Sequence, residues 1–130
     1  MKVIVKEPGR MAKVVDVDAR YRCDVSGLIE KGITREYVHI KPNELDMMVD
    51  EDGLMKQLPL NFFLECSSPF FPVQAIVGTV VFCCYKWENP WEKEIYDYEL
   101  ENVTDEDLKA VKEILDPERQ FALQRLFFNK

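Results

Sequence analysis

The only histidine and the four cysteines are the side chains best suited to acid–base, nucleophilic or metal chemistry. His39 lies in a strand-like stretch with no serine or cysteine motif beside it, which favours a structural or surface histidine. Cys83 and Cys84 are adjacent, and successive side chains of a strand point to opposite faces, so this pair does not match a C-x-x-C zinc site. We therefore predict reduced thiols, no catalytic or metal-binding residue and no cofactor.

The acidic tetrapeptide at residues 50–53, Asp-Glu-Asp-Gly, has some likeness to a calcium-binding loop. If Gly53 took the sixth position of such a loop, Met48 would be the first ligand and Pro59 the twelfth. Neither side chain carries the carboxylate that those positions need, so we interpret the tetrapeptide as a solvated hairpin turn. The five glycines are scattered and form no phosphate-binding loop.

Acidic and aromatic residues are interleaved between residues 87 and 107, where Lys93 is the only basic residue. Aromatic side chains anchor many protein interfaces and carboxylates attract basic partners, so this segment is predicted to bind a protein. The alternative is a strand pair or extended loop that packs its aromatic rings and exposes its acids. The predicted interaction residues are Trp87, Trp91, Tyr96 and Tyr98.

The net charge of −7 is unevenly distributed. Residues 1–41 contain nine Lys and Arg against six Asp and Glu, whereas residues 42–130 contain eight against eighteen. An acidic surface repels phosphate backbones, so no direct nucleic-acid binding is expected. No apolar run approaches the ~20 residues that cross a bilayer, and the N-terminus has no obvious secretion signal. We expect no membrane association and a cytoplasmic location, where thiols stay reduced.

Hydrophobic periodicity predicts a single α+β domain over residues 1–130, with a small mixed or mainly antiparallel sheet. An N-terminal β-hairpin, a short N-terminal helix starting near Asp18, and later strands would form a β-rich core over residues 1–85. The run 73–85 is almost entirely apolar, which predicts one central strand that is buried on both faces. Gly78 within it predicts a bulge or a close backbone approach.

Residues 86–130 are predicted to hold the acidic segment and the C-terminal helices. Thr104 and Asp107 are spaced as in a capping box, and Asp116-Pro117 ends one helix and can begin another. The last helix has apolar side chains around much of its circumference, which is more than a small core usually covers. An oligomer contact, as in a homodimer, is therefore expected at Phe121, Phe127 and Phe128.

Four stretches of the chain occur in an order that is typical of one bacterial family. They are Lys2–Gly9 (KVIVKEPG), Tyr37–Ile40 (YVHI), residues 50–61 with DEDG and LPLN, and Ile76–Phe82 (IVGTVVF). Together they resemble the domain of unknown function number 3846, found in small proteins of phages, plasmids and conjugative elements. The resemblance covers residues 1–85 and implies a mobile-element origin and a compact β-rich domain, with no catalytic residues to transfer.

Three functions are consistent with these features. The leading hypothesis is a non-enzymatic accessory protein that binds another protein. The second is an acidic DNA mimic that inhibits a DNA-binding protein, favoured by the excess negative charge over residues 42–130. The third is an enzyme whose site is assembled from scattered polar residues such as Glu30, Asp52 and Asn61.

Overall fold

The computed structural model describes residues 1–29, 35–39, 45–50, 52–65, 72–85 and 99–129. Its elements, in chain order, are β1 Lys2–Lys6, β2 Lys13–Asp16, a 3₁₀ helix Arg22–Leu28, β3 Arg35–His39, β4 Leu45–Asp50, β5 Leu60–Glu65, β6 Val73–Val77, β7 Val80–Tyr85, β8 Leu100–Glu101, α1 Asp105–Ile114 and α2 Pro117–Phe128. The paired strands in the described ranges are all antiparallel. The predicted α+β class, with an antiparallel sheet and C-terminal helices, is confirmed.

The larger sheet has the strand order β2-β1-β7-β4-β3, and β8 pairs with the end of β7. The predicted N-terminal hairpin is confirmed as β1 paired with β2, with Val3 opposite Val15. The strand-like stretch that holds His39 is confirmed as β3, which pairs with β4 so that Tyr37 lies opposite Met48. β5 and β6 form a separate two-stranded sheet.

All six side chains of β7 are buried. Val80, Phe82 and Cys84 lie on one face of β7. They pack in a core that includes Phe62 of β5 and Val111 of α1, so the small sheet and a helix cover this face. Val81 and its neighbours face a second core that includes Val25 of the 3₁₀ helix and Leu100 of β8. The prediction of burial on both faces is therefore confirmed for this strand.

The prediction of a single strand over residues 73–85 is wrong, because the run is two strands in two different sheets. The chain bends at Gly78, whose φ of +74° is accessible to glycine without strain, and β6 pairs with β5 while β7 joins the large sheet. Leu58 Cδ1 lies 2.8 Å from the position that a Cβ on Gly78 would take. The predicted close backbone approach at this glycine is confirmed, because its N–H donates to the Pro59 carbonyl at 2.8 Å.

Asp52 and Gly53 lie in a turn after β4, but the prediction of a hairpin is wrong, since β4 and β5 belong to different sheets. The turn is not fully solvated either. Asp50 is buried, and its side chain accepts a hydrogen bond from the Asp52 backbone N–H at 2.9 Å and pairs with Lys56 at 3.3 Å. The backbone N–H of Gly53 donates to the Asp50 carbonyl at 3.0 Å, which tightens the turn.

The expected short N-terminal helix is a 3₁₀ helix, and it does not start at Asp18. The Asp24 carboxylate instead accepts hydrogen bonds from the backbone N–H groups of Arg20 and Tyr21, at 2.9 and 2.8 Å, which closes the entry to the helix. Val25 is buried, whereas Leu28, which an α-helix would place on the same face, is exposed. The tighter 3₁₀ winding has three residues per turn and does not keep the α-helical stripe on one face.

The C-terminal helices are confirmed with their predicted ends. The Asp107 backbone N–H donates to Thr104 Oγ1 at 3.2 Å, and Asp107 Oδ2 accepts from the Thr104 N–H at 2.8 Å, which completes a capping box. Asp116 caps α2 by accepting from the Arg119 N–H at 3.1 Å, and Pro117 occupies the first turn. The two helices therefore meet at a sharp corner that local sequence specifies.

Two glycines with the same φ of +74° provide a matched test of the bend between β6 and β7. Gly9→Ala adds a methyl group with no heavy atom within 4 Å, so it carries only the left-handed backbone cost of about 1–2 kcal/mol. Gly78→Ala adds the same cost plus the contact with Leu58, and we expect it to lower the free energy of unfolding by at least ~1 kcal/mol more. Urea denaturation of both variants measures this difference, and equal losses would contradict the packing role of Gly78.

Candidate functional site

Three separate parts of the chain meet at a polar cluster beneath the corner between α1 and α2. Lys6 is the last residue of β1, and strand alternation places it on the same face as Ile4, towards the core that contains Phe62. Asn61 is the second residue of β5, and Gly78 forms the bend before β7. These residues lie in three of the stretches that carried the family resemblance.

The Asn61 side chain joins the two sheets. Its Nδ2 group donates to the carbonyl oxygens of Lys6 and Gly78, both at 2.7 Å, so both amide protons are used. Its Oδ1 accepts from Lys6 Nζ at 2.8 Å. A backbone hydrogen bond from the Gly78 N–H to the Pro59 carbonyl, at 2.8 Å, closes the same junction. Asn61 is thus a structural tie with no amide proton left for a ligand.

Lys6 is a buried residue with no acidic partner in the part of the chain that the structure describes. The residue is 8% exposed, and none of the carboxylates in the described ranges forms an ion pair with it. Its ammonium donates to Asn61 Oδ1 and to the Glu7 carbonyl, both at 2.8 Å. Burial lowers the pKa of Lys6, because loss of hydration disfavours the charged form. An ammonium has three protons, so one has no acceptor within the part of the chain that the structure describes.

Two adjoining cavities open above this cluster, and together we call them the Lys6 groove. Their volumes are about 370 and 520 Å³, and both are lined by Lys6, Leu115 and Pro117. Volumes of this order are typical of ligand-binding clefts. The larger cavity is also lined by Arg10, Lys112 and Asp116. Three cationic side chains and one carboxylate therefore line the groove.

The rim of the Lys6 groove is apolar and solvent-exposed. Leu60 of β5 and Phe121 of α2 stand at the smaller cavity and are 48% and 62% exposed. Met11, in the loop after β1, stands at the larger cavity and is 81% exposed. Large side chains of this kind are unfavourably hydrated, and their grouping around one cleft is typical of an interaction site.

Gln120 fixes the width of the groove by holding α2 against the edge of β5. Its Oε1 accepts from the Phe63 N–H and its Nε2 donates to the Phe63 carbonyl, both at 2.8 Å, much as a neighbouring strand would. Its second amide proton goes to the Ile114 carbonyl at 2.8 Å. The Phe63 and Phe127 rings pack with centroids 5.2 Å apart. The wall that carries Phe121 is therefore rigidly placed.

The residues predicted for protein interaction, Trp87, Trp91, Tyr96 and Tyr98, lie outside the described residues, as do Glu30 and the side chain of His39. Of the residues predicted for an oligomer contact, Phe121 and Phe128 are exposed on α2, whereas Phe127 is half-buried against Phe63. Asp52 lies in the turn before β5 and does not line the Lys6 groove, so it is not brought together with Asn61.

Sequence reasoning missed Lys6. The sequence did contain a signal for it. Lys6 lies on the same face of β1 as Ile4, and a lysine on a face that points into the core is unusual. Cys83 and Cys84 are buried cysteines that face opposite cores, and Cys84 Sγ donates to Asp107 Oδ2 at 3.3 Å. Within the described ranges, no three His, Cys, Asp or Glu residues form a group that could hold a metal ion. The helices in those ranges are too short or too polar to cross a membrane.

Comparison with known families decides the classification. The model of a family described as a domain of unknown function (DUF3846) matches residues 1–106. The chain belongs to the DUF3846 family. The match extends beyond residue 85, so it takes in β8 and the first residues of α1 as well as the three stretches that meet at Lys6. No curated protein and no solved structure is significantly similar to the chain.

Removal of the Asn61 side chain tests its role as the tie between the sheets. Asn61→Ala leaves two carbonyl oxygens and an ammonium without their partner, and we expect the free energy of unfolding to fall by about 2–4 kcal/mol. Asn102→Ala is the matched control, because this exposed asparagine accepts one hydrogen bond, from the Lys2 N–H at 2.8 Å. Its expected loss is about 0.5–1.5 kcal/mol. Equal losses in urea denaturation would refute the tie.

The lowered pKa of Lys6 makes the stability of the protein depend on pH. Between that lowered value and the ordinary lysine pKa of about 10.4, the unfolded chain holds more of the proton than the folded chain, so stability from this residue rises with pH. We expect the wild type to gain stability relative to Lys6→Met as the pH rises towards the ordinary lysine pKa of about 10.4, as urea denaturation would measure. Lys13→Met removes an exposed lysine and should follow the wild type. A parallel course for all three proteins would contradict a perturbed Lys6.

Proposed function

We propose that this DUF3846 protein is a non-enzymatic accessory protein that binds a segment of another protein in the Lys6 groove. The observation that carries the proposal is the apolar rim of Met11, Leu60 and Phe121 around a cleft with a cationic lining. A cytoplasmic location and an origin in a phage, plasmid or conjugative element are parts of the same proposal, motivated by the sequence.

The rim supplies the hydrophobic part of the binding free energy. Covering one exposed leucine, methionine or phenylalanine contributes about 1.5–3 kcal/mol before the costs of association are subtracted. Two contacts hold Phe121 in place. The Arg125 guanidinium lies over its ring, with 6.0 Å between the guanidinium carbon and the ring centroid. Gln120, the preceding residue of α2, bonds to the Phe63 carbonyl. A preorganised aromatic side chain at the mouth of a cleft is the usual form of an interface hot spot.

The lining selects the charge of the partner segment. Lys6, Arg10 and Lys112 outnumber Asp116 and the Glu7 carboxylate that pairs with Arg10 at 3.3 Å. Net charge does not decide the local field, because ionic screening limits interactions between exposed charges to about 8–10 Å at physiological salt. The partner segment is therefore one that combines apolar side chains with acidic groups, even though the whole chain carries −7.

The full engagement of Asn61 supports a binding role over a catalytic one. A catalytic amide must direct a proton or lone pair at the reacting atoms, whereas both protons of Asn61 are spent on backbone carbonyl groups. Trp87, Trp91, Tyr96 and Tyr98 stay predicted as an additional contact surface. DNA mimicry by the acidic part of the chain stays the alternative function, and no described contact favours it.

A library of dodecapeptides displayed on phage tests the proposal directly. Peptides that bind the wild type should be enriched in apolar and acidic residues, and Phe121→Ala and Leu60→Ala should each weaken them about ten-fold or more. Met55→Ala is the matched control, since Met55 is 87% exposed in the turn before β5 and does not line the groove. It should leave affinity within about two-fold.

Two results would count against the proposal. One is the absence of peptides whose binding depends on Phe121 or Leu60. The other is a dimer in sedimentation that dissociates on Phe121→Ala, which would assign the rim to a second copy and support the expected homodimer contact at Phe121, Phe127 and Phe128.

A further inference from the structure

The charge of Lys6 has no counter-charge within the described structure. Partial burial removes some of the water that an ammonium prefers, and two neutral acceptors replace only part of that water. Buried lysines are rare unless they are paired, and an unpaired one that borders a cleft is a candidate recognition group. Lys6 borders both cavities of the Lys6 groove, so a ligand there would lie within reach of its ammonium.

We propose that the Lys6 ammonium recognises a carboxylate carried by the bound partner segment, an inference that rests on the proposed function. The third ammonium proton, which has no acceptor in the described ranges, donates to that carboxylate. A hydrogen bond between two charged groups is roughly twice as strong as one between neutral groups. The ligand then supplies the counter-charge that the fold does not.

Two polar side chains that line the groove beside Lys6, Asn61 and Gln120, already have partners for their amide protons. The amide protons of Asn61 and Gln120 go to backbone carbonyl groups. Asp116 accepts from the Arg119 N–H, and so occupies the anion position at the start of α2, where Pro117 has no N–H of its own. Arg10 and Lys112 add positive charge from the larger cavity.

This donor set fits a carboxylate better than a phosphate group. Phosphate sites gather several N–H donors, typically at a free helix N-terminus or in an arginine fork. The Lys6 groove offers one buried ammonium beside Leu60, Phe62 and Leu115, which are apolar. A carboxylate that is attached to an apolar body satisfies both features, as does an Asp, Glu or terminal carboxylate next to an apolar residue.

The test compares 3-phenylpropionate with 3-phenylpropanamide, two probes of the same shape that differ in charge, by NMR titration of the full chain. The wild type should bind the acid about ten-fold more tightly than the amide. Lys6→Met should lose the preference, and Lys13→Met, which removes an exposed lysine of β2, should keep it. A preference that survives in Lys6→Met, or equal binding of both probes to the wild type, would overturn the inference.

The wild type alone also gives an answer if Lys6→Met fails to fold. The ¹³Cε signal of Lys6, in chain labelled at lysine, should shift with the acid and not with the amide, and an unchanged signal would overturn the inference.

A second experiment uses a peptide selected for Phe121-dependent binding. Replacement of its Glu by Gln should weaken the binding of the peptide about ten-fold. An unchanged peptide affinity would overturn the inference while the proposed function stands. If no peptide binds but the acid does, the proposed function fails, and with it the assignment of the carboxylate to a partner protein.

Discussion

The burial of β7 on both faces is the constraint around which the described structure is organised. Six consecutive buried side chains leave no polar face for solvent, so separate layers must cover the two sides. Phe82 and Val81 are neighbours in the chain, yet each lies in a different core. β1 and β4 satisfy the backbone of β7 from either edge, while helices, the small sheet and β8 exclude water from its faces.

The bend at Gly78 shapes the Lys6 groove. Because β6 leaves the large sheet, it pairs with β5 alone, and α2 then packs on this two-stranded sheet through Gln120 and Phe127. Asn61 ties the small sheet back to β1, which brings Lys6 beneath the corner between the helices. The same junction that joins the sheets thus buries a lysine at the floor of an open groove.

The charge of the groove lining differs from the net charge of the chain. The chain has a net charge of −7, yet the lining of the Lys6 groove holds three cations and one carboxylate. The hydrogen bonds that the Lys6 ammonium donates to the Glu7 carbonyl and to Asn61 Oδ1 offset part of its desolvation cost. Such a site gains most from an anionic ligand, since the ligand's charge replaces the hydration that burial removed. The apolar rim adds affinity that does not depend on charge.

The sequence by itself determined those features that depend on residues close together in the chain. The Thr104–Asp107 capping box, the Asp116-Pro117 helix boundary and the apolar character of residues 80–85 each depend on residues within one or two turns, and all three are confirmed. The alternation of β1 also carried the inward phase of Lys6, although the pattern of one short strand does not show what lies opposite.

Tertiary structure decided how those elements combine. Residues 73–85 have one continuous apolar pattern, and the choice between one strand and two depended on the pairing of β5 with β6, which periodicity does not encode. Asn61 and Lys6 are 55 residues apart in the chain, so their hydrogen bond, and the burial that lowers the pKa of Lys6, exist only after both sheets are packed. Neighbouring residues determine the preference for a helix or a strand and which side chains share a face. A pocket is formed by side chains that are distant in the chain, and only the complete packing brings them together.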